Sequence, residues 1–423
     1  VRGNMSDKKT KILTISDHPM SPSGVGTQTK FIIEHLLKTG KYSFLSLGGA
    51  VKHQDYRPMK TEQYGEDWLI HPVDGYSNPN IIRSIIRDQK PDILWFMTDP
   101  RFFTWLWEME DEIRPHMPMI YYHVWDNYPY PKFNKRFYDS TDVICTISKV
   151  TDDIVRTVAP DVECHYIPHC TNMDIFKKNP EEETEKFRKM ALPQTEGKFF
   201  FFWNNRNARR KQSGTLLWWF KEFLDKVGHD KAMLMMHTEV HDPNGQDLQA
   251  IIHELGLTNG EVLFSPEKIP PSELAKLYNV ADCTINVSDA EGFGLATLES
   301  LACETPILVN MTGGLQEQVT DGEKWFGIGI EPASKAIIGS QQVPYIREDR
   351  LNKEDFLEAM LKMYNSSEEQ RKKMGSDGRK HLLKNYNHDT IMNKWEEVLD
   401  NVCETRGSWA ERKQYEPWCL REL

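Results

Sequence analysis

The stretch Glu291-Gly-Phe-Gly-Leu-Ala-Thr-Leu-Glu299 lies between an apolar, strand-like run, Cys283 to Val287, and a helix-like run, Leu295 to Ala302. A strand, a glycine turn and a helix start, in that order, leave backbone N–H groups where an anion can meet them. Glu291 stands at the mouth of this turn. Glu299 lies inside the following helix, within about 12 Å by helical rise. One carboxylate can address the reacting end of a ligand while the other holds hydroxyls at the far end. A nucleoside-diphosphate sugar has both needs: its diphosphate takes N–H donors and cations, and its ribose and sugar hydroxyls take carboxylate acceptors. The competing reading, two solvated acids on a surface turn, loses ground as the rest of the chain is added.

Outward from this stretch, short apolar runs alternate with amphipathic ones. In the first half, strands are expected at 11–15, 42–47, 92–97, 118–122 and 142–147, with helices at 25–39, 80–89 and 149–158. A polar stretch, 168–196, reads as irregular. Alternation resumes with strands at 198–203, 232–237, 261–264, 282–287 and 306–309 and helices at 213–226, 246–255, 272–278 and 295–302. From Lys353 the chain reads as helical (355–364, 368–383, 389–402), and the tail from Glu404 shows no period. The fold class is therefore α/β, two doubly wound, Rossmann-like domains built on mainly parallel sheets. Such sheets bind ligands beyond the C-terminal ends of their strands, so a cleft between the halves is expected to receive Glu291. The domains are read as 1–175, 176–385 and a C-terminal crossover segment, 386–423.

Other strand-to-helix turns carry matching chemistry. Trp203-Asn-Asn-Arg-Asn-Ala-Arg-Arg-Lys211 follows the first strand of the second half, and Arg206 and Lys211 could both reach a diphosphate, one as a planar fork and one as a point charge. Ser21-Pro-Ser-Gly-Val-Gly-Thr27 joins a strand to a helix in the first half, where Gly24 and Gly26 let the backbone approach a ligand closely. His123, in Tyr122-His-Val-Trp-Asp126, falls at a strand end, where its ring could hydrogen-bond a sugar hydroxyl. Thr312-Gly-Gly-Leu-Gln-Glu317 is a further turn on the same rim. Asp289-Ala-Glu291 has the form of a short acidic pair for Mg²⁺, yet the nearby cations can neutralise a diphosphate alone, so neither metal nor cofactor is expected. No serine sits in a nucleophile-elbow context.

Bulk properties bound the reading. The 423 residues are 39% hydrophobic and 27% charged, values of an ordinary globular protein of two or three domains. The formal net charge of −11 opposes broad binding to nucleic acid or anionic membranes. Seven cysteines form no CxxC pair, so a reducing, cytoplasmic setting is the expectation. No apolar run approaches a membrane span. Val1–Asn4, ahead of Met5, read either as a non-native leader or as a longer native start.

These residues resemble family-4 glycosyltransferases of the GT-B fold. The match rests on Glu291 through Glu299 with Ser300-Leu-Ala-Cys-Glu-Thr-Pro306, on Tyr278-Asn-Val-Ala-Asp282 before it, and on Gly313-Gly314 with Glu317 after it. Arg206, Lys211, Ser23-Gly24, Ile167-Pro168 through Phe176, Met374-Gly375 and Trp395 extend it over nearly the whole chain. The resemblance implies a retaining, metal-independent transfer from a UDP- or GDP-sugar, with the last helix crossing back onto the first domain. It implies that Glu291 and His123 lie by the reacting sugar, that Glu299 binds ribose, and that Arg206 and Lys211 bind diphosphate. Gly24, Phe293, Gly294 and Leu295 complete the donor-binding set, the last two through main-chain amides. Three positions depart from the family pattern: Ser23-Gly24 stands for Gly-Gly, His169-Cys170 for Asn-Gly, and Glu304 for a small residue.

The acceptor is open. The loop Trp125-Asp-Asn-Tyr-Pro-Tyr-Pro-Lys-Phe-Asn-Lys-Arg136 mixes aromatic and basic residues, and Trp125, Asp126 and Tyr128 are its acceptor-side candidates. Aromatic rings stack on sugars and equally on a flipped base. A saccharide, lipid-linked or small-molecule hydroxyl is one reading. A hydroxymethylated base in DNA is the alternative, since large tailed phages carry enzymes of similar fold for that acceptor, which would place the protein in a host cytoplasm. A nucleotide-sugar epimerase or hydrolase on the same fold is a further alternative. Oligomeric state is not legible.

Overall fold

The computed structural model describes residues 8–417, 419, 420 and 422; the readings of Val1–Asn4 and of the tail at Trp418, Arg421 and Leu423 fall outside them. The chain divides into two compact units. Unit one comprises Val1–Pro168, Gly339–Pro344 and Asp389–Leu423, and unit two His169–Ile338 and Tyr345–His388.

Unit one is built on eight strands: β1 (Thr10–Asp17), β2 (Tyr42–Gly49), β3 (Met59–Lys60), β4 (Trp68–Pro72), β5 (Ile93–Thr98), β6 (Met119–His123), β7 (Val143–Thr146) and β8 (Glu163–Tyr166). Their order is β3-β4-β2-β1-β5-β6-β7-β8, parallel throughout except for the short antiparallel edge pair β3/β4. Every residue of β5, β6 and β7 is buried, which is why these segments read as continuous apolar runs rather than alternating ones. The chain winds outward from β1 through β2 to β4, then returns to lay β5 on the other side of β1. That reversal puts a crevice between the loops that follow β1 and β5. The last long helix, His388–Arg406, closes one face of this sheet through the buried Trp395, whose ring meets Tyr122 at 4.7 Å and Trp95 at 6.0 Å.

Unit two carries β9 (Phe199–Asn204), β10 (Ala232–His237), β11 (Val262–Ser265), β12 (Cys283–Asn286), β13 (Ile307–Asn310) and β14 (Gly327–Ile330) in one parallel sheet, ordered β11-β10-β9-β12-β13-β14. A separate antiparallel hairpin follows, β15 (Ser334–Ile338) and β16 (Ile346–Arg350). The winding reverses between β9 and β12, so the crevice here lies between the loops after those strands, 205–212 and 287–294. The core beneath it is a dense cluster that includes Phe201, Trp203, Phe220, Leu234, Ile285 and Met360.

Beyond added strands such as β3, β4, β8 and β14, two expectations change. The stretch 168–196 contains a helix, Glu181–Ala191, which none of its own residues buries, so it lacks the apolar stripe by which a helix is read. Three glutamates in its first turn and Arg188 and Lys189 in its last favour the helix through its dipole instead. The hairpin β15–β16 was also not legible, because its residues are charged on both faces. Among the described residues no helix is long and apolar enough to cross a membrane.

Candidate active site

In unit two the loop after β12 turns into the helix Leu295–Ala302 at Gly294, whose φ of 93° is a left-handed value that a side chain would strain. No side chain caps this helix, so the amides of its first turn have no side-chain acceptor. The turn is braced from beneath by the buried Gln318, which donates to the carbonyls of Phe293 at 2.7 Å and Gly294 at 3.0 Å. Gln318 also accepts from Thr297 at 2.7 Å. Phe293 is buried, edge-on to His169 at 5.3 Å and Tyr386 at 5.7 Å. Phe293 therefore anchors the turn, and the buried Gly294 and half-buried Leu295 follow it into the helix.

Glu291 is buried beside that turn and paired with the buried Lys211, which arrives on the loop after β9. Asn286 Nδ2 (3.2 Å) and Ser288 Oγ (3.4 Å) donate to the same carboxylate oxygen. Burial alone would push the Glu291 carboxyl up. The Lys211 ammonium, and then Arg210, overcome that and hold it at about 2. Glu291 is thus a carboxylate at every physiological pH.

The loops carrying the pair are zipped together. Asp289 N donates to the Arg210 carbonyl (2.8 Å), Arg210 donates to the Ala290 carbonyl (2.6 Å), and Gln212 Nε2 donates to Asp289 Oδ2 (2.7 Å). Strand β16 supports both from behind: Asp349 N donates to the Asp289 carbonyl at 2.9 Å, and the buried Glu348 accepts two bonds from Arg209. Asp289 is turned to Gln212 rather than toward Glu291, and burial raises its carboxyl to about 6.

Glu299 lies on the helix with its Oε2 shut from solvent and without a hydrogen-bond partner. Burial raises this carboxyl to about 8, opposed by a hydrogen bond from Tyr278, which itself accepts from Asn204 at 2.9 Å. A half-satisfied buried acceptor of this kind is suited to an incoming hydroxyl donor.

The remaining candidates fall elsewhere. Arg206 is not drawn to Lys211; its guanidinium is largely exposed and bonds Asp242 at 3.0 Å. In unit one, Gly24 opens the helix Gly24–Lys38 behind its cap Ser23. His123 ends β6 but is wholly buried, with Nε2 on Tyr138 Oη at 2.6 Å and Nδ1 unpartnered, and burial lowers it to about 3. Its ring is a neutral, enclosed imidazole rather than an open one. Trp125 is buried with Nε1 on the Asn127 carbonyl, and Tyr128 shares the Asp153 carboxylate with Tyr130. Asp126 is half-buried. Glu317 is engaged internally by Tyr386 at 2.9 Å.

Residues 184–381 match the family model for glycosyl transferases, group 1. That match falls almost wholly within unit two. Among curated relatives, a D-inositol 3-phosphate glycosyltransferase of Acidothermus cellulolyticus is 39% identical over 104 residues, 24% of this chain and 23% of its own length. One from Corynebacterium jeikeium is 28% identical over 185 residues, 43% of each chain. The chain thus spans less than half of these relatives. Solved structures align over far more of it. Sucrose-phosphate synthase from Thermosynechococcus elongatus superposes with a TM-score of 0.74 at 15% identity, covering 94% of this chain and 100% of that one. Anabaena HepE in complex with UDP-glucose gives 0.68 at 14%, covering 92% and 99%. At these identities the likeness establishes the fold, which is GT-B as expected.

Proposed function

We propose that the protein is a retaining glycosyltransferase that moves a sugar from a nucleoside-diphosphate donor, UDP or GDP, to a hydroxyl acceptor without a metal ion. The observation that carries this reading is the buried Lys211–Glu291 pair at the uncapped start of helix Leu295–Ala302. A lysine buried against a carboxylate and next to free helix amides can move its charge onto a diphosphate with little reorganisation. Lys211 then stabilises the negative charge that grows on the leaving phosphate. Arg206, exposed and on the same loop, can swing from Asp242 to join it.

In the reaction the bond from the anomeric carbon to the diphosphate oxygen breaks, and a bond to the acceptor oxygen forms on the same face. The acceptor proton passes to the departing phosphate. Glu291, permanently ionised, stabilises positive charge developing on the sugar ring, while Glu299 accepts the ribose hydroxyls. The relatives' printed names agree in kind, one solved neighbour holding UDP-glucose. The experiment is transfer from UDP-glucose and GDP-sugars into a pool of hydroxyl acceptors, run with and without EDTA. Activity retained in EDTA is expected, and complete, Mg²⁺-reversible loss would refute the metal-free reading. Rapid turnover of donor without any acceptor would point to an epimerase or hydrolase instead.

A further inference from the structure

Unit one carries at its own reversal point a cluster that the sequence reading did not isolate. Loops after β1, β2, β4 and β5 converge there. Asp17, at the end of β1, is buried and accepts Ser23 Oγ (2.6 Å) on one oxygen and Tyr76 Oη (2.6 Å) on the other. Tyr76 packs on Phe102 at 5.0 Å. Next to Asp17, His18 lies 5.6 Å from His53, which in turn meets Tyr56 edge-on at 5.5 Å, and Tyr56 donates to Asp74.

His18 is the informative member. It is 8% exposed. Its Nδ1 accepts the Met20 amide at 3.1 Å, so the ring proton of the neutral tautomer sits on Nε2. Burial, and then the neighbouring His53, lower its pKa, keeping it neutral. Among the described residues Nε2 has no hydrogen-bond partner. An N–H donor on a mostly buried ring, left open at a strand's C-terminal end, is a place for an oxygen of a ligand.

The charge around it selects the ligand. The central charge, Asp17, is negative and buried. Two of the three cations on these loops are already tied to aspartates on their own loops, Arg57 to Asp55 at 2.6 Å and Arg101 to Asp99 at 3.0 Å. The third, Lys52, is an exposed side chain. A phosphate would have to approach a buried carboxylate with no preformed guanidinium or ammonium to receive it. Around this polar centre, Tyr56 and Phe102 expose 47% and 45% of their surface, rings of the kind on which the apolar face of a pyranose stacks.

Resting on the glycosyltransferase reading, we propose that this cradle binds an uncharged saccharide or polyol acceptor, with His18 Nε2–H donating to one hydroxyl and Asp17 accepting from another. It discriminates against phosphorylated acceptors. In this the chain would part from relatives whose names specify a phosphorylated acceptor or product.

The test uses the full chain saturated with UDP and ligand-observed NMR with two probe pairs, glucose against glucose 6-phosphate and myo-inositol against inositol 1-phosphate. The uncharged members are expected to bind at least 10-fold more tightly. His18→Ala should weaken them about 10-fold, His18→Gln, which keeps an N–H donor, should restore most of that, and UDP affinity should stay within twofold in both. Tighter binding of the phosphorylated members, binding of no uncharged member, or identical affinities in His18→Ala would overturn the proposal. UDP binding is read by calorimetry on the same samples, so loss of the donor reading shows there and loss of the acceptor proposal shows in the sugar arm.

Discussion

The two units share one winding plan, and each reverses it beside its first strand, yet the two reversal points are furnished with opposite chemistry. In unit two the loops after β9 and β12 bring Lys211, with Arg210 close by, against Glu291 at an uncapped helix start. In unit one the end of β1 and the loops after β1 and β4 bring a carboxylate, two hydroxyls and a neutral imidazole. The first is built for a ligand that carries several negative charges, the second for one that carries none. The helix start in unit one is capped by Ser23, which accepts from the Gly26 amide, so its donors are partly spent; the one in unit two is left open. A common topology therefore supplies two crevices, and the side chains at the strand ends decide what enters each.

The largest expected effect comes from the charged crevice. Glu291→Gln should lower transfer by about 10²- to 10³-fold, the scale for removing one electrostatic stabiliser from a dry site, with the far-UV spectrum unchanged. Near-normal turnover would remove Glu291 from the reaction. Next, Lys211→Met leaves a buried carboxylate unpaired and should cost about 3–5 kcal/mol of stability. The double variant Lys211→Met/Glu291→Gln should recover most of that loss in a denaturant titration, because the two charges are removed together. A double variant no more stable than the single one would mean that the pair is not the stabilising unit.

A smaller effect follows from Glu299. Its folded carboxyl titrates near 8, above its unfolded value, so the empty protein takes up a proton there and loses stability as pH rises toward 8. Nucleotide hydroxyls prefer the ionised form. Nucleotide affinity should therefore rise between pH 6.5 and 8.5, and Glu299→Gln should flatten that dependence; an unchanged slope would take Glu299 out of the ribose contact. Smallest of all, raising salt from 50 to 500 mM should weaken UDP binding several-fold while leaving acceptor KM within twofold, since screening acts on the charged crevice alone. Equal salt sensitivity in both would erase the contrast between the units.

Much of this was readable beforehand, and the failures share a cause. Most of the parallel strands and their helices were legible because buried strands read as unbroken apolar runs and their helices carry one apolar face; β4, β8 and β14, each with residues only partly buried, were not. Glu291, Lys211 and the Gly294 turn were legible because glycine at a strand-to-helix junction has few other uses. What the sequence could not say is which way a cation points. Arg206, Arg209, Arg210 and Lys211 lie within six residues, and four different partners take them: Asp242, Glu348, the Ala290 carbonyl and Glu291. Those partners are separated from the loop by 36 to 139 positions, so no local pattern encodes them. The same holds for Gln318 under the glycine turn and for Asn286 and Ser288 on Glu291, whose roles exist only through contacts. The helix Glu181–Ala191 escaped because it buries nothing. His18 escaped because a histidine's usefulness here depends on which ring nitrogen the Met20 amide occupies.

The central claim is that Lys211 receives a diphosphate at the start of helix Leu295–Ala302, and isothermal calorimetry of UDP and of uridine on the parent protein and on Lys211→Met/Glu291→Gln tests it most directly. UDP should bind the parent and weaken by at least 30-fold in the double variant, whereas uridine should change by less than threefold. Equal UDP affinity in the two proteins would contradict the account.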